Sequence, residues 1–144
     1  MSKTKIYKIK VEWGDCDPAG IVFYPNFYRW MDAAQWNYFE KLKYPIKTLQ
    51  KKYKIIGLPL VYTDAKYLIP CYRDDILTIK TNLVKISNST IKLQHLIINN
   101  NKIACIGSET RIWAKNSSGK ITSAPIPNEV KKIFQLNLSK EIIN

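Results

Sequence analysis

The chain has 144 residues, 46% of them hydrophobic and 12% aromatic, enough to close one core without disulfides or a metal, so a single domain over 1–144 is expected. No run of about 18 apolar residues occurs, which excludes a helical membrane span. Lys and Arg number 23 against 11 acids, a formal net charge of +12, but the lysines are scattered and alternate with apolar residues, which argues for solvated faces rather than a nucleic-acid partner.

The opening MSKTKIYKIK carries lysines but no apolar stretch of the kind a signal peptide needs. Tyr7, Ile9, Val11 and Trp13 alternate with Lys8, Lys10 and Glu12, which predicts a half-buried strand over 7–13. Gly14, Pro18 and Gly20 then build an ordered loop that carries Asp15, Cys16 and Asp17. A helix is predicted over 26–43. Its first face is Phe27, Trp30, Met31, Ala34 and Tyr38; its second, Tyr28, Asp32, Gln35, Trp36 and Phe39, is also largely aromatic. Pro25 suits the first turn and Tyr44-Pro45 the stop. A helix apolar on two sides needs cover on both. A homo-oligomer is therefore expected, a dimer or a dimer of dimers (homotetramer), in which a second copy completes the burial.

A short helix follows at 47–53, and Gly57 and Pro59 break it. Strands are predicted over 60–69, 75–85, 90–98 and 102–114, with turns at Ser87-Asn88 and at Asn99 to Asn101. Residues 116–119 read as a loop, and a closing helix is predicted over 128–136. Short connections make the last three strands an antiparallel meander with the long helix on the sheet, an α+β domain.

Cys16, Cys71 and Cys105 share no short spacing, which argues against a disulfide framework and a zinc site. No metal and no cofactor are expected, and a reducing cytoplasm is the expected location. Asp15, Asp17 and Gly20 fit part of a calcium loop, but Ala19 and Asn26 stand where oxygen ligands are required. His95 alternates with Ile91 and Leu93 and reads as a core histidine. Asp15 reads as a structural turn residue, Cys16 as a bystander, and Asp64, in a strand of apolar neighbours, as a candidate pocket wall.

The segment GDCDPAGIVFYPNFYRWMDAAQWNYF resembles the signature of the hotdog-fold acyl-CoA thioesterases, the 4-hydroxybenzoyl-CoA thioesterase-like family. The resemblance implies a hotdog fold, an antiparallel sheet wrapped around a long central helix, and an acyl-CoA substrate. It implies Asp17 as the catalytic carboxylate, the backbone amide of Tyr24 as the donor that polarises the thioester carbonyl, and Asp32 as the contact for the distal hydroxyl of an aromatic acyl group, with Tyr28 beside it. Thioester hydrolysis requires such a carboxylate and such a donor. The family's basic cluster between the third and fourth strands, which the resemblance assigns to the CoA phosphates, is Ser87, Asn88 and Ser89 here, with Lys85 and Lys92 nearby. CoA contacts are expected at Lys85, Ser87, Asn88 and Ser89. The reading is an acyl-CoA thioesterase for an aromatic or a short-chain acyl group. The alternative, motivated by the charge, is a non-catalytic acyl-CoA- or nucleic-acid-binding module of the same fold.

Overall fold

The computed structural model describes residues 2–142. Five strands, β1 (Lys5–Lys10), β2 (Leu60–Tyr67), β3 (Ile76–Ile86), β4 (Thr90–Asn99) and β5 (Lys102–Ile112), form one sheet in the order β1-β3-β4-β5-β2, every neighbour antiparallel. The meander expected for β3, β4 and β5 is present. Asn100 and Asn101 both take positive φ, 49° and 64°, which gives the two-residue β4–β5 hairpin a twist that matches its strands. Helix α1 (Pro25–Lys41) packs on one face of the sheet, and α2 (Ile46–Tyr53) and α3 (Asn128–Leu136) close the far end of the core.

Helix α1 begins and ends close to its predicted bounds. Phe27, Trp30, Met31 and Ala34 pack with Leu77 and Ile97 in the half of the core nearest the Asp17 loop. Tyr38 and Phe39 pack with Leu83, Leu93, Trp113 and Phe134 in the other half. Helix and sheet approach tightly at Gly107, where an added Cβ would stand 2.1 Å from Met31 Sδ and 3.2 Å from the Asp64 carbonyl oxygen. Gly107 therefore marks which face of β5 meets the helix. Glu109 and Arg111, two and four residues on, share that face; Ser108 takes the other.

Two expectations are corrected. Strand β1 stops at Lys10, and Trp13 sits in a short 3-10 turn, Trp13–Asp15, with 75% of its surface exposed rather than alternating into the sheet. Gly14 and its neighbours bend the chain before the pattern can continue. Residues 116–119, read as a loop, belong to a small hairpin of β6 (Ala114–Ser117) and β7 (Lys120–Ser123). Ser118 and Gly119, at φ 52° and 83°, make its two-residue turn.

Strand β2 is an edge, paired only to β5. Leu60, Val61, Tyr62 and Tyr67 are all exposed on it. A strand with an unpaired backbone row and apolar side chains invites pairing with another chain.

The Gly107 contact generates a stability test. Gly107→Ala forces either Met31, wholly buried, or the β2 backbone to move, and overpacking of this kind costs about 1–3 kcal/mol. The urea midpoint should fall by that equivalent with an unchanged slope; an unaltered midpoint would mean that Met31 gives way to the added methyl at no cost.

Candidate active site

The site begins with a tight excursion after β1. Cys16 and Val22 bridge antiparallel, the Asp17 amide donates to the Ile21 carbonyl at 2.9 Å, and the Phe23 amide donates to the Asp15 carbonyl at 2.8 Å. Residues 15–23 thus form a miniature hairpin whose tip is Asp17 to Gly20. Gly20, at φ 82°, supplies the left-handed position that closes it. On its outer side the hairpin is stitched to the start of β3: the Val22 amide donates to the Cys71 carbonyl at 2.9 Å and Ile21 bridges to Tyr72.

Asp15 fixes this loop to the helix. Its carboxylate accepts from the Glu12 amide and from Arg29 Nη2, each at 2.8 Å, while its carbonyl also accepts from Asn26 Nδ2 at 2.8 Å. That is the structural role the sequence suggests. Asp17, in contrast, has one side-chain acceptor engaged: Oδ1 takes the Ala19 amide at 2.8 Å. Its second oxygen has no donor among the described residues, and the side chain lines an open cleft of about 600 Å³ with Trp13, Gly14, Pro18, Gly20 and Arg73.

The start of α1 leaves one amide over. Phe23, Asn26 and Phe27 donate to the Asp15, Phe23 and Tyr24 carbonyls, and Pro25 has no N–H. Among the described residues no acceptor takes the Tyr24 amide, which stands at the positive end of the helix dipole. Tyr24 lines a second, apolar cavity of about 490 Å³ with Ile21, Val22, Phe27, Tyr67 and Leu68. Asp17, at the tip of the hairpin, and Tyr24, just past its second arm, thus line two different cavities.

Deeper along α1, Asp32 stands roughly 12 Å from Tyr24 at 1.5 Å per residue. Its side chain is 54% exposed and accepts from Arg111 Nη2 at 2.7 Å, so it is partnered but not enclosed. Arg111 opens a buried chain. Its Nη1 donates to the Leu58 carbonyl at 2.9 Å and its Nη2 to Glu109 at 2.6 Å; Glu109 meets His95 Nε2 at 2.7 Å; and His95 Nδ1 meets Thr81 Oγ1 at 2.8 Å. Burial pushes the Glu109 carboxyl up, but the hydrogen bond and charge of His95 and the charge of Arg111 outweigh that and hold it below the ordinary glutamate range. His95 is a core histidine bonded at both ring nitrogens. Arg111 and Glu109 were not legible as site residues. Their signal was two charges at alternate positions of an otherwise apolar strand. Burial drives the Cys71 thiol up to about 11 and the Cys105 thiol up to about 12, so neither offers a thiolate.

The remaining candidates separate. Tyr28 stays beside Tyr67, whose hydroxyl its neighbourhood and burial hold protonated. Asp64 pairs in register with Ser108 and accepts from its hydroxyl at 2.8 Å; both point to the sheet face opposite α1, so Asp64 does not join Asp32 and Tyr28. Lys85 and Ser87 meet Tyr62, Thr90, Lys92 and Glu141 in a cavity of about 320 Å³. Asn88 and Ser89 spend their carbonyls on the Ile126 and Trp113 amides. This cluster lies at the end of β3 away from Asp17: the strand's 11 residues span roughly 33 Å at 3.3 Å each.

Comparison with known proteins identifies the family and the fold. Residues 11–134 match the sequence model of the thioesterase-like superfamily. The chain is 31% identical to the 4-hydroxybenzoyl-CoA thioesterase of Pseudomonas sp. (strain CBS-3) over 134 residues, covering 88% of this chain and 94% of that one. A solved structure of a 4-hydroxybenzoyl CoA thioesterase mutant, an Asp-to-Asn variant complexed with 4-hydroxybenzoyl CoA, superposes with a TM-score of 0.85 at 28% identity, over 92% of this chain and 99% of the other. A gentisyl-coenzyme A thioesterase superposes with a TM-score of 0.79 at 35% identity, over 90% and 99%. The fold is the hotdog fold expected from the signature.

The Glu109 chain sets a pH dependence. A carboxyl depressed in the native state contributes stability that is whole above its unfolded value near 4.5 and is lost as pH falls through the lower native value. Glu109→Gln should lower stability at neutral pH and flatten the decline below about pH 4.5 in urea titrations; an undiminished acid slope in the variant would remove Glu109 as its source.

Proposed function

This chain belongs to the thioesterase-like superfamily, and on that premise we propose that it hydrolyses an acyl-CoA to the free acid and CoA, with Asp17 and the Tyr24 amide as its reacting groups. It is an enzyme, a thioester hydrolase. The observation that carries the assignment is the hairpin, whose tip offers a carboxylate oxygen and whose end leads into a helix-start amide, both unpaired among the described residues. Asp17 acts on the carbonyl carbon, directly or through a water it deprotonates. The carbonyl oxygen, becoming negative, takes the Tyr24 N–H, a donor worth about 3 kcal/mol in such sites. The C–S bond then breaks and CoA leaves as its thiolate; on the direct route water then hydrolyses the mixed anhydride left on Asp17, which releases the free acid and restores the carboxylate.

A hydroxylated aromatic acyl group is the substrate reading. The apolar cavity beside Tyr24, the aromatic run of α1 and the Asp32 carboxylate, kept in place by Arg111, support it: a phenolic hydroxyl can donate to Asp32 where an alkyl group cannot. The relatives named above act on 4-hydroxybenzoyl and gentisyl thioesters, both hydroxylated rings. Asp32, 54% exposed, is open to a neighbouring copy, and the reading takes Asp32 and Tyr24 from different copies. A second copy pairing along the exposed β2 edge supports that arrangement, as a dimer or a dimer of dimers. Lys85 and Ser87 likewise lie toward the end of β3 away from the Asp17 of their own chain. Three free cysteines support a reducing cytoplasm, and no helix among the described residues is long and apolar enough to cross a membrane.

Thiol release from benzoyl-, 4-hydroxybenzoyl-, acetyl- and butyryl-CoA tests the reading. Asp17→Asn keeps the Oδ1 acceptor for the Ala19 amide, so the loop should fold while turnover falls by about 10²–10⁴-fold; a variant with wild-type turnover would exclude the mechanism. Asp32→Ala should lower kcat/KM for 4-hydroxybenzoyl-CoA by roughly tenfold or more and spare benzoyl-CoA. Light scattering should give at least twice the chain mass, and a monomer at micromolar concentration would defeat the shared site.

A further inference from the structure

We infer that residues 138–142, which follow α3, form an anionic strap: it lends Glu141 to the lysine pair Lys85 and Lys92, and the phosphates of CoA must displace it. The inference rests on the thioesterase reading and adds a competitor, built into the chain, for the charged end of the substrate. Its starting point is register. Lys85 stands directly opposite Lys92 across β3 and β4, Lys92 opposite Thr110 on β5, and Thr110 opposite Tyr62 on β2. Two ammonium groups, a hydroxyl and a phenol thus make one row across the sheet, and all four line the same cavity of about 320 Å³. Thr110 lies two residues past Ser108, so the row is on the face away from α1. Like charges directly opposite destabilise a strand pair, and this row calls for an anion.

Glu141 is that anion. Its carboxylate meets Lys92 Nζ at 2.7 Å, while among the described residues no carboxylate pairs with Lys85. Two lysines against one glutamate leave a positive charge over. The strap reaches them by a defined path. Strand β1 pairs with β3 no further than Lys5 opposite Thr81. Beyond that point the free side of β3 takes Leu138, bridged parallel to Leu83, and the Ser139 amide, which donates to the Leu83 carbonyl at 2.8 Å. The strap then crosses the outer face to Gln94, whose Nε2 donates to the Ile142 carbonyl at 2.7 Å and whose Oε1 accepts the Ile142 amide at 2.8 Å. Gln94 faces outward yet is only 3% exposed, because the strap lies over it.

These bonds place Glu141 and are few enough to give way. An ion pair whose glutamate is 38% exposed contributes little in water, and segments held by so few contacts open at the low end of a fold's stability range. A nucleotide with several phosphates carries more charge than one carboxylate and can engage Lys85 together with Lys92. Lys92 and Glu141 also line a second cavity of about 420 Å³, with Asp64, Lys66 and Gln94, so displacing Glu141 opens room on both sides of Lys92. The lysine row stands at the end of β3 away from the Asp17 of its own chain, and the nucleotide it receives belongs to a thioester held by the neighbouring copy.

Calorimetric titration of free CoA into wild type and Glu141→Gln tests the strap, since the substitution keeps the side chain's size and removes its charge. The variant should bind CoA roughly two- to fivefold more tightly at low salt, and the gain should shrink as salt rises. Equal affinities, or weaker binding by the variant, overturn the inference and leave the thioesterase reading standing; no CoA binding by either protein brings down the reading and the inference with it. In a Lys92→Ala background Glu141→Gln should have no effect on CoA affinity, and an undiminished gain there would show that Glu141 acts elsewhere and overturn the inference. Linkage demands the converse. Saturating CoA should speed hydrogen exchange at the Ser139 and Ile142 amides of the wild type, and unchanged or slowed exchange would refute displacement of the strap.

Discussion

Asp15 is the constraint on which the site depends. Its carboxylate and carbonyl together take the Glu12 and Phe23 amides, Asn26 and Arg29, tying the end of β1, the hairpin and the first turn of α1 into one body. Without that knot the hairpin arms would have no fixed relation to the helix start. With it, two groups are left over by construction: the second oxygen of Asp17 and the amide of Tyr24. The structural aspartate thus consumes the local donors, and Asp17 keeps a free oxygen. The side chain of Asp15 is 14% exposed, which makes its pairing with Arg29 stronger than a surface ion pair of the same length would be.

The second constraint is the helix-to-sheet distance. Gly107 lets Met31 settle directly on β5, and that contact fixes α1 along the sheet as well as above it. Arg111, on the same face of β5, then falls opposite Asp32. A larger residue at position 107 would lift the helix and lengthen the Arg111 to Asp32 bond, now 2.7 Å. The buried chain through Glu109, His95 and Thr81 crosses from β5 to β4 to β3, so the charge that holds Asp32 is itself anchored in the three best-paired strands. Desolvated charges of this kind are tolerable only when each has a partner, and here every carboxylate and imidazole in the chain has one.

The signature between Gly14 and Phe39 made the fold, the catalytic loop and the long helix legible, because glycine, proline and helical spacing act locally. Alternation in β3, β4 and β5 was legible for the same reason. Trp13 misled because period-two alternation continues in the letters past the point where the backbone turns. The β6–β7 hairpin was missed because Ser118-Gly119 looks like any polar loop until its two positive φ angles are seen. Arg111 and Glu109 could not be assigned from sequence at all. Their roles come from register: Arg111 meets Asp32 across 79 positions. No local pattern records which residues a sheet will bring side by side.

The features left incomplete in one chain are mutually consistent. Strand β2 shows an unpaired edge with apolar side chains, Asp32 is over half exposed beside a buried arginine, and Trp36 one turn later is 40% exposed. Each is an ordinary surface anomaly by itself. Together they describe a helix whose first aromatic face is spent on its own sheet and whose second face, with Gln35 and Phe39 buried in the same chain, lacks cover at Asp32 and Trp36. The fold cannot supply that cover, because the sheet has one face toward α1 and β2 is its last strand. In the proposed arrangement, an added copy along β2 would lengthen the sheet and cover that edge. The pairing that removes an aggregation-prone edge would then be the same pairing that completes the proposed acyl pocket, and selection for solubility and for catalysis would act on one interface.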